Sequence, residues 1–116
     1  MPAEADIQYM SSAYRLLFEI EVTLEKEIDA RLTASYGPSW ELKLQTPRRL
    51  HTTFFHEKVS YFGKYAPISS IFTEKELKKL YRLTYTRNKI AHMELINGME
   101  EELLHECHQF VVEKLT

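Results

Sequence analysis

"YTRNKIAHMEL", residues 85–95, decides how this chain of 116 residues is read. Upstream, Leu77, Leu80, Leu83 and Thr84 recur at helical spacing, and Ile90 and Ala91 continue that inward face. The same segment carries Arg87, Asn88, Lys89 and His92. A guanidinium, an amide and an imidazole within six positions of a core-directed helix are either its solvated flank or a site.

The rest of the chain bounds the answer. A hydrophobic content of 44% with 28% charged residues suits a folded globular protein. Three Gly and four Pro are too few for an all-β fold with many tight turns. The length fits a single domain, 1–116. No apolar run approaches the roughly 20 residues of a membrane span, so no membrane association is expected. The start, MPAEADIQYM, lacks the basic-then-apolar order of a signal peptide. The one cysteine, Cys107, cannot form an internal disulfide, and a cytoplasmic location is the expectation.

Charge is unevenly spread behind a net of −2. Residues 1–36 hold seven acids and three bases, residues 37–92 four and eleven, and residues 93–116 six and one. A basic centre between acidic flanks fits a face for a polyanion, unless the bases scatter around their helices.

Periodicity predicts an all-α fold, a four-helix bundle with antiparallel helices. The first helix runs from about Asp6 to Ser35, with Ile7, Met10, Tyr14, Leu17, Leu24 and Ile28 inward and Phe18, Ile20, Val22 and Leu32 widening that face. Tyr36-Gly37-Pro38 ends it. Residues 37–46 read as a loop, where alternating Trp40, Leu42 and Leu44 allow a short extended piece. Thr46-Pro47 reads as the start of the second helix, which ends near Ala66-Pro67. Its inward face is Phe55, Val59, Phe62 and Ala66, broadened by Phe54, Tyr61 and Tyr65. Thr73 and Glu76 form a capping box for the third helix, with Phe72 and Leu77 at the staple positions. Asn97-Gly98 is read as its end. Met99, Leu103, Cys107, Phe110 and Val111 define the fourth helix.

The third predicted helix carries parts for metal-free RNA cleavage. His titrates near neutrality and can move protons, while Arg offers a charged fork for phosphate. Asn88 lies one turn before His92 and can orient its ring. Arg87 and His92, five apart, lie about 140° apart around a helix. A two-fold axis that brings two copies of this helix together would resolve that offset. Basic and aromatic neighbours that would bind RNA are Arg48, Arg49, Lys78, Lys79, Arg82, Tyr85 and Lys89, with Tyr81 a further ring able to stack on a base.

"RNKIAH", residues 87–92, resembles the Arg-polar-x3-His signature of HEPN domains, in forms seen in abortive-infection proteins and RNA-cutting CRISPR effectors. "LLFEIEVTLEKEIDARLTASYGPSW", residues 16–40, resembles the first helix and Gly-x-x-Trp loop of such proteins. The resemblance covers nearly the whole chain. It implies a helical bundle that forms a homodimer through the motif helices and, in many members, a metal-independent RNase with no cofactor. By position, Arg87 would contact phosphate, Asn88 would be the polar residue beside it, and His92 would be the acid/base group. It also implies a defence or toxin role, with a cognate inhibitor or antitoxin as a partner. Glu94 stands where some toxin members carry a Tyr, which argues against control by modification of that Tyr. Other HEPN domains are inactive modules for dimerisation or for RNA or protein binding, and that is the alternative. A third reading is a plain helical interaction protein whose basic strip docks an acidic surface.

Other candidates carry less. His105, Cys107 and His108 invite a metal reading, but Cys107 falls on the apolar face and no second cluster supplies further ligands, so no metal site is expected. His51 and His56 read as flank residues, or as lining an RNA groove beside Arg48 and Arg49. Neither a nucleophile elbow nor a Gly-rich phosphate loop is present in the sequence.

Overall fold

The spine of the protein is one long helix whose buried residues follow a single line. The computed structural model describes residues 3–116, and its helices are α1 (Glu4–Tyr36), α2 (Trp40–Leu44), α3 (Phe55–Lys64), α4 (Glu74–Ala91) and α5 (Gly98–Leu115). Two 3-10 turns, Leu50–Thr52 and Ala66–Ile68, complete an all-α architecture with no strand among the described residues. No described helix is long and apolar enough to cross a membrane. Ala13, Leu17, Ile20, Leu24, Ile28 and Leu32 form the buried line of α1. It packs most extensively on α5 and also on α3, α4 and α2. Phe62, Ile68, Leu80, Leu83, Leu104 and Val111 fill the space between, fully buried. Phe72 packs between Phe62 and Phe110 in tilted and edge-to-face contacts, with ring centroids 5.0 and 5.7 Å away.

Three residues expected inward on α1 are not there. Ile7, Tyr14 and Phe18 are 51%, 59% and 54% exposed. They lie about a quarter-turn around the helix from the buried line, where no helix of the chain covers them. Tyr14 and Phe18 stack on each other instead, 6.3 Å apart.

The segment after α1 also differs from expectation. Gly37 ends α1 at φ +90°, donating its N–H to the Thr33 carbonyl. The chain then forms α2 rather than an extended piece, because Trp40 turns into the core and its Nε1–H donates to Asp29 Oδ1 at 3.2 Å. Thr46-Pro47 is a bend, not a helix start. Glu41 Oε2 accepts the Leu50 N–H, and the Thr52 and Thr53 hydroxyls both donate to the Arg49 carbonyl. These side-chain bonds favour a 3-10 turn, so the helix waits until Phe55. Ala66 and Phe54, placed inward by periodicity, are exposed, whereas Tyr61 and Tyr65 are buried.

Helix α4 starts as read. Thr73 Oγ1 accepts the Glu76 N–H at 3.1 Å, and Glu76 Oε1 accepts the Thr73 N–H at 2.8 Å. It ends earlier than read, at Ala91. The Glu94 N–H donates to the Lys89 carbonyl and the Met93 N–H to the Ile90 carbonyl. That is a Schellman closure with Met93, at φ 60°, in the left-handed position that usually takes Gly. Ala91 is consequently exposed. Asn97 does not close α4 but caps α5, in a second capping box with Glu100. Met99, read as inward, is exposed, whereas Leu103, Cys107 and Val111 are buried and Leu104 joins them.

Two substitutions test these local causes by urea denaturation. Asn97→Ala should cost about 1 kcal/mol through the lost cap. Gly37→Ala should cost roughly 1–3 kcal/mol, because φ +90° with ψ 175° is backbone that essentially only glycine occupies.

Candidate functional site

The segment 87–92 occupies the last turn of α4 and its cap. Arg87 is half-buried, and its Nε–H donates to Glu21 Oε1 on α1 at 3.2 Å. Its terminal amino groups make no hydrogen bond among the described residues, so the fork remains available. Asn88 is exposed, and its carbonyl accepts the His92 N–H at 3.1 Å. No side-chain bond joins Asn88 to His92 among the described residues. His92 is exposed and forms the residue at which α4 stops.

Arg87 and Asn88 share a cavity of about 270 Å³ with Thr84, one turn earlier, and with Phe54, Phe55 and His56 at the start of α3. His56, rather than His92, is the imidazole on that cavity's wall. Thr84 Oγ1 is buried behind that wall with no hydrogen-bond partner among the described residues. An unpaired buried hydroxyl costs on the order of 1–3 kcal/mol, so it is an anomaly to be explained.

Six of the eleven bases in the sequence's basic centre are paired in space among the described residues. Lys79 pairs with Glu106, and Lys89 with Glu100 at 2.9 Å. Arg48 lies 3.6 Å from Glu57, and Lys78 lies 3.7 Å from Glu74. Lys58, nearly buried, lies 3.7 Å from Glu25. Arg49 and Arg82 are exposed and enter no ion pair among the described residues. Tyr85 is exposed with Lys89 Nζ 5.9 Å above its ring. The expected strip is therefore present as residues but mostly compensated as charge.

An uncovered apolar groove of about 420 Å³ lies on the other side of the same segment, lined by Ile7, Met10 and Tyr14 of α1 with Ile90, Met93 and Leu95. Met93 is 90% exposed in its strained conformation. The His-Cys-His cluster of α5 diverges. His105 faces Glu101 at 3.6 Å, and His108 meets Glu19 at 2.6 Å. Cys107 is fully buried, and burial pushes its thiol up to about 12, with Glu106 adding to the shift. That thiol is an inert packing group. Among the described residues no three His, Cys, Asp or Glu side chains converge on a point that would hold a metal ion.

Sequence reasoning missed Glu21, which sits 66 positions from Arg87 with no local pattern to link them. It also missed Thr84 as a polar group of the cavity, since its spacing reads as core.

Paired carboxylates set an acid limit on the fold. The bond from His108, then that from Arg15, lowers Glu19. Glu76 is lowered by Lys114 and the Thr73 N–H, against the opposing effect of partial burial. The Asn97 N–H, then Lys89, lowers Glu100. Each group's folded pKa lies below its ordinary value of 4.5, so its stabilisation is complete above that pH and is lost as pH falls below it. The melting temperature should therefore fall as pH drops below about 4.5, and Glu100→Gln, which keeps the capping bond, should make the fall shallower. No family model, curated protein or solved structure matches this chain.

Proposed function

We propose that the chain is a metal-independent endoribonuclease of HEPN type, acting as a homodimer in a defence or toxin role. The observation that carries the reading is the exposed end of α4, where Arg87, Asn88 and His92 lie beside an uncovered apolar face. Ile7, Tyr14 and Phe18 run along α1 towards Glu21, which holds Arg87. Met93 and Leu95 border the same face just after His92. A second copy covering it would bring two motif segments together and bury the exposed Met93 side chain.

In such a cleft, one His92 takes the proton from a 2′-hydroxyl as that oxygen attacks phosphorus. The other His92 protonates the departing 5′-oxygen as the P–O bond breaks. Arg87 stabilises charge on the phosphoryl oxygens through its free amino groups. The products are a 2′,3′-cyclic phosphate and a 5′-hydroxyl.

A second reading is a non-catalytic module that binds RNA or a protein, and the ion pairing of Lys79, Arg87 and Lys89 favours it. Single-turnover cleavage of single-stranded RNA in EDTA separates the two. Wild type should cut, His92→Ala should not, and Arg87→Lys should lose roughly 10²–10³ in rate. Lys75→Ala, a neighbouring charge outside the site, should change little. Strict dependence on added divalent metal, or equal mild effects of all three substitutions, would refute the enzyme reading.

The dimer is tested separately by light scattering. Twice the chain mass of 13.8 kDa is expected, with Phe18→Lys reverting to a folded monomer. A monomer at micromolar concentration in the wild type would contradict it.

A further inference from the structure

We infer that the cavity between the start of α3 and the end of α4 is a nucleotide subsite. It would hold one unit of single-stranded RNA, with the base on Phe54 and the sugar–phosphate against Thr84, Arg87 and Asn88. The inference deepens the ribonuclease reading and rests on RNA being the ligand of this face.

Its floor is polar by construction. Thr84, Arg87 and Asn88 stand at i, i+3 and i+4, so they share one face of α4. Thr84 lines the cavity, and its hydroxyl lies buried just behind that wall with no partner among the described residues. A threonine inside a helix can bond the carbonyl four residues back, yet this one does not. Threonine in a helix has two accessible χ1 rotamers, so a rotation about χ1 would turn the hydroxyl to a phosphate or ribose oxygen entering the cavity.

Its rim is a fixed aromatic ring. Phe55 turns into the core at 4% exposed, which sends the adjacent Phe54 outward at 54%. The Arg48 guanidinium lies 4.4 Å from the Phe54 centroid, and the His56 ring lies 5.9 Å away at an interplanar angle of 19°. A half-exposed ring already used for stacking by Arg48 and His56 suits a base that extends or replaces that stack, a mode that tolerates any sequence.

Charge is arranged for short range. Arg48 and Arg87 each face a carboxylate through Nε, Glu57 at 3.6 Å and Glu21 at 3.2 Å. Each pair is near neutral from afar and still offers terminal N–H groups to a phosphate at contact. The volume of about 270 Å³ falls below the roughly 300–1,000 Å³ of pockets that engulf a whole small ligand. One unit of a longer chain fits that description.

The test is fluorescence anisotropy with a short fluorescein-labelled single-stranded oligouridylate, in EDTA, on the His92→Ala protein. Phe54→Ala should weaken binding by about 5–150-fold, the range of one lost base stack. Thr84→Val keeps the shape and removes the orphan hydroxyl, so it should weaken binding while the melting temperature holds or rises. That combination is not expected of a merely structural threonine. Two folded variants that bind RNA as the parent does would overturn the subsite, as would a parent with no saturable binding. So would an acidic peptide that binds in place of RNA with the same dependence on Phe54. If the wild type fails to cut RNA while these variants lose binding, the nuclease reading falls and the subsite stands. If it cuts and binding ignores Phe54 and Thr84, the subsite alone falls.

Discussion

The rotation of α1 about its own axis is the constraint on which the rest of the structure depends. Burial of Leu17, Ile20, Leu24 and Ile28 fixes it. Each such side chain contributes about 1.5–3 kcal/mol when buried, against about 0–1 for an exposed ion pair. Packing therefore decides, and the charges follow. Once α1 is set, Glu19 meets His108, Glu21 meets Arg87, and Glu25 meets Lys58. The same rotation leaves Ile7, Tyr14 and Phe18 without cover. A one-residue slip would turn the helix by about 100° and undo all of these at once.

Charge that is segregated along the chain is mixed in space. The basic α4 sits between acidic residues of α1 and α5, which face it with Glu21, Glu100 and Glu106. Pairing of this kind weakens long-range attraction for a polyanion. It also fixes side chains that would otherwise be mobile, and a guanidinium held through Nε presents its remaining donors in a set direction. The site at the end of α4 trades steering for orientation.

Much of this was legible in the sequence, and the exceptions have physical reasons. The capping box at Thr73 and the stop at Gly37 are local chemistry, so they were readable. Pro47 misled because Thr52 and Thr53 bond the Arg49 carbonyl and hold a different turn. The end of α4 was hidden because Met93, not Gly, takes the left-handed position, and Asn97-Gly98 then passed for the stop that it is not. At the site, "RNKIAH" was visible as a motif. Glu21 was not, since tertiary packing alone brings it to Arg87, and His56, legible only as a flank or groove residue, is placed beside Arg87 by that packing too.

The most direct measurement on the central claim, that Arg87 is a working group oriented by Glu21, is a double-mutant cycle on single-turnover RNA cleavage in chelator. Glu21→Gln should slow cleavage about tenfold, the loss expected when a charge-assisted hydrogen bond becomes a neutral one, with the melting temperature little changed. In an Arg87→Ala background the same substitution should have no further effect on rate. A Glu21→Gln protein that is less stable but cuts RNA at the parental rate would contradict the claim and leave the pair an ordinary ion bridge between two helices.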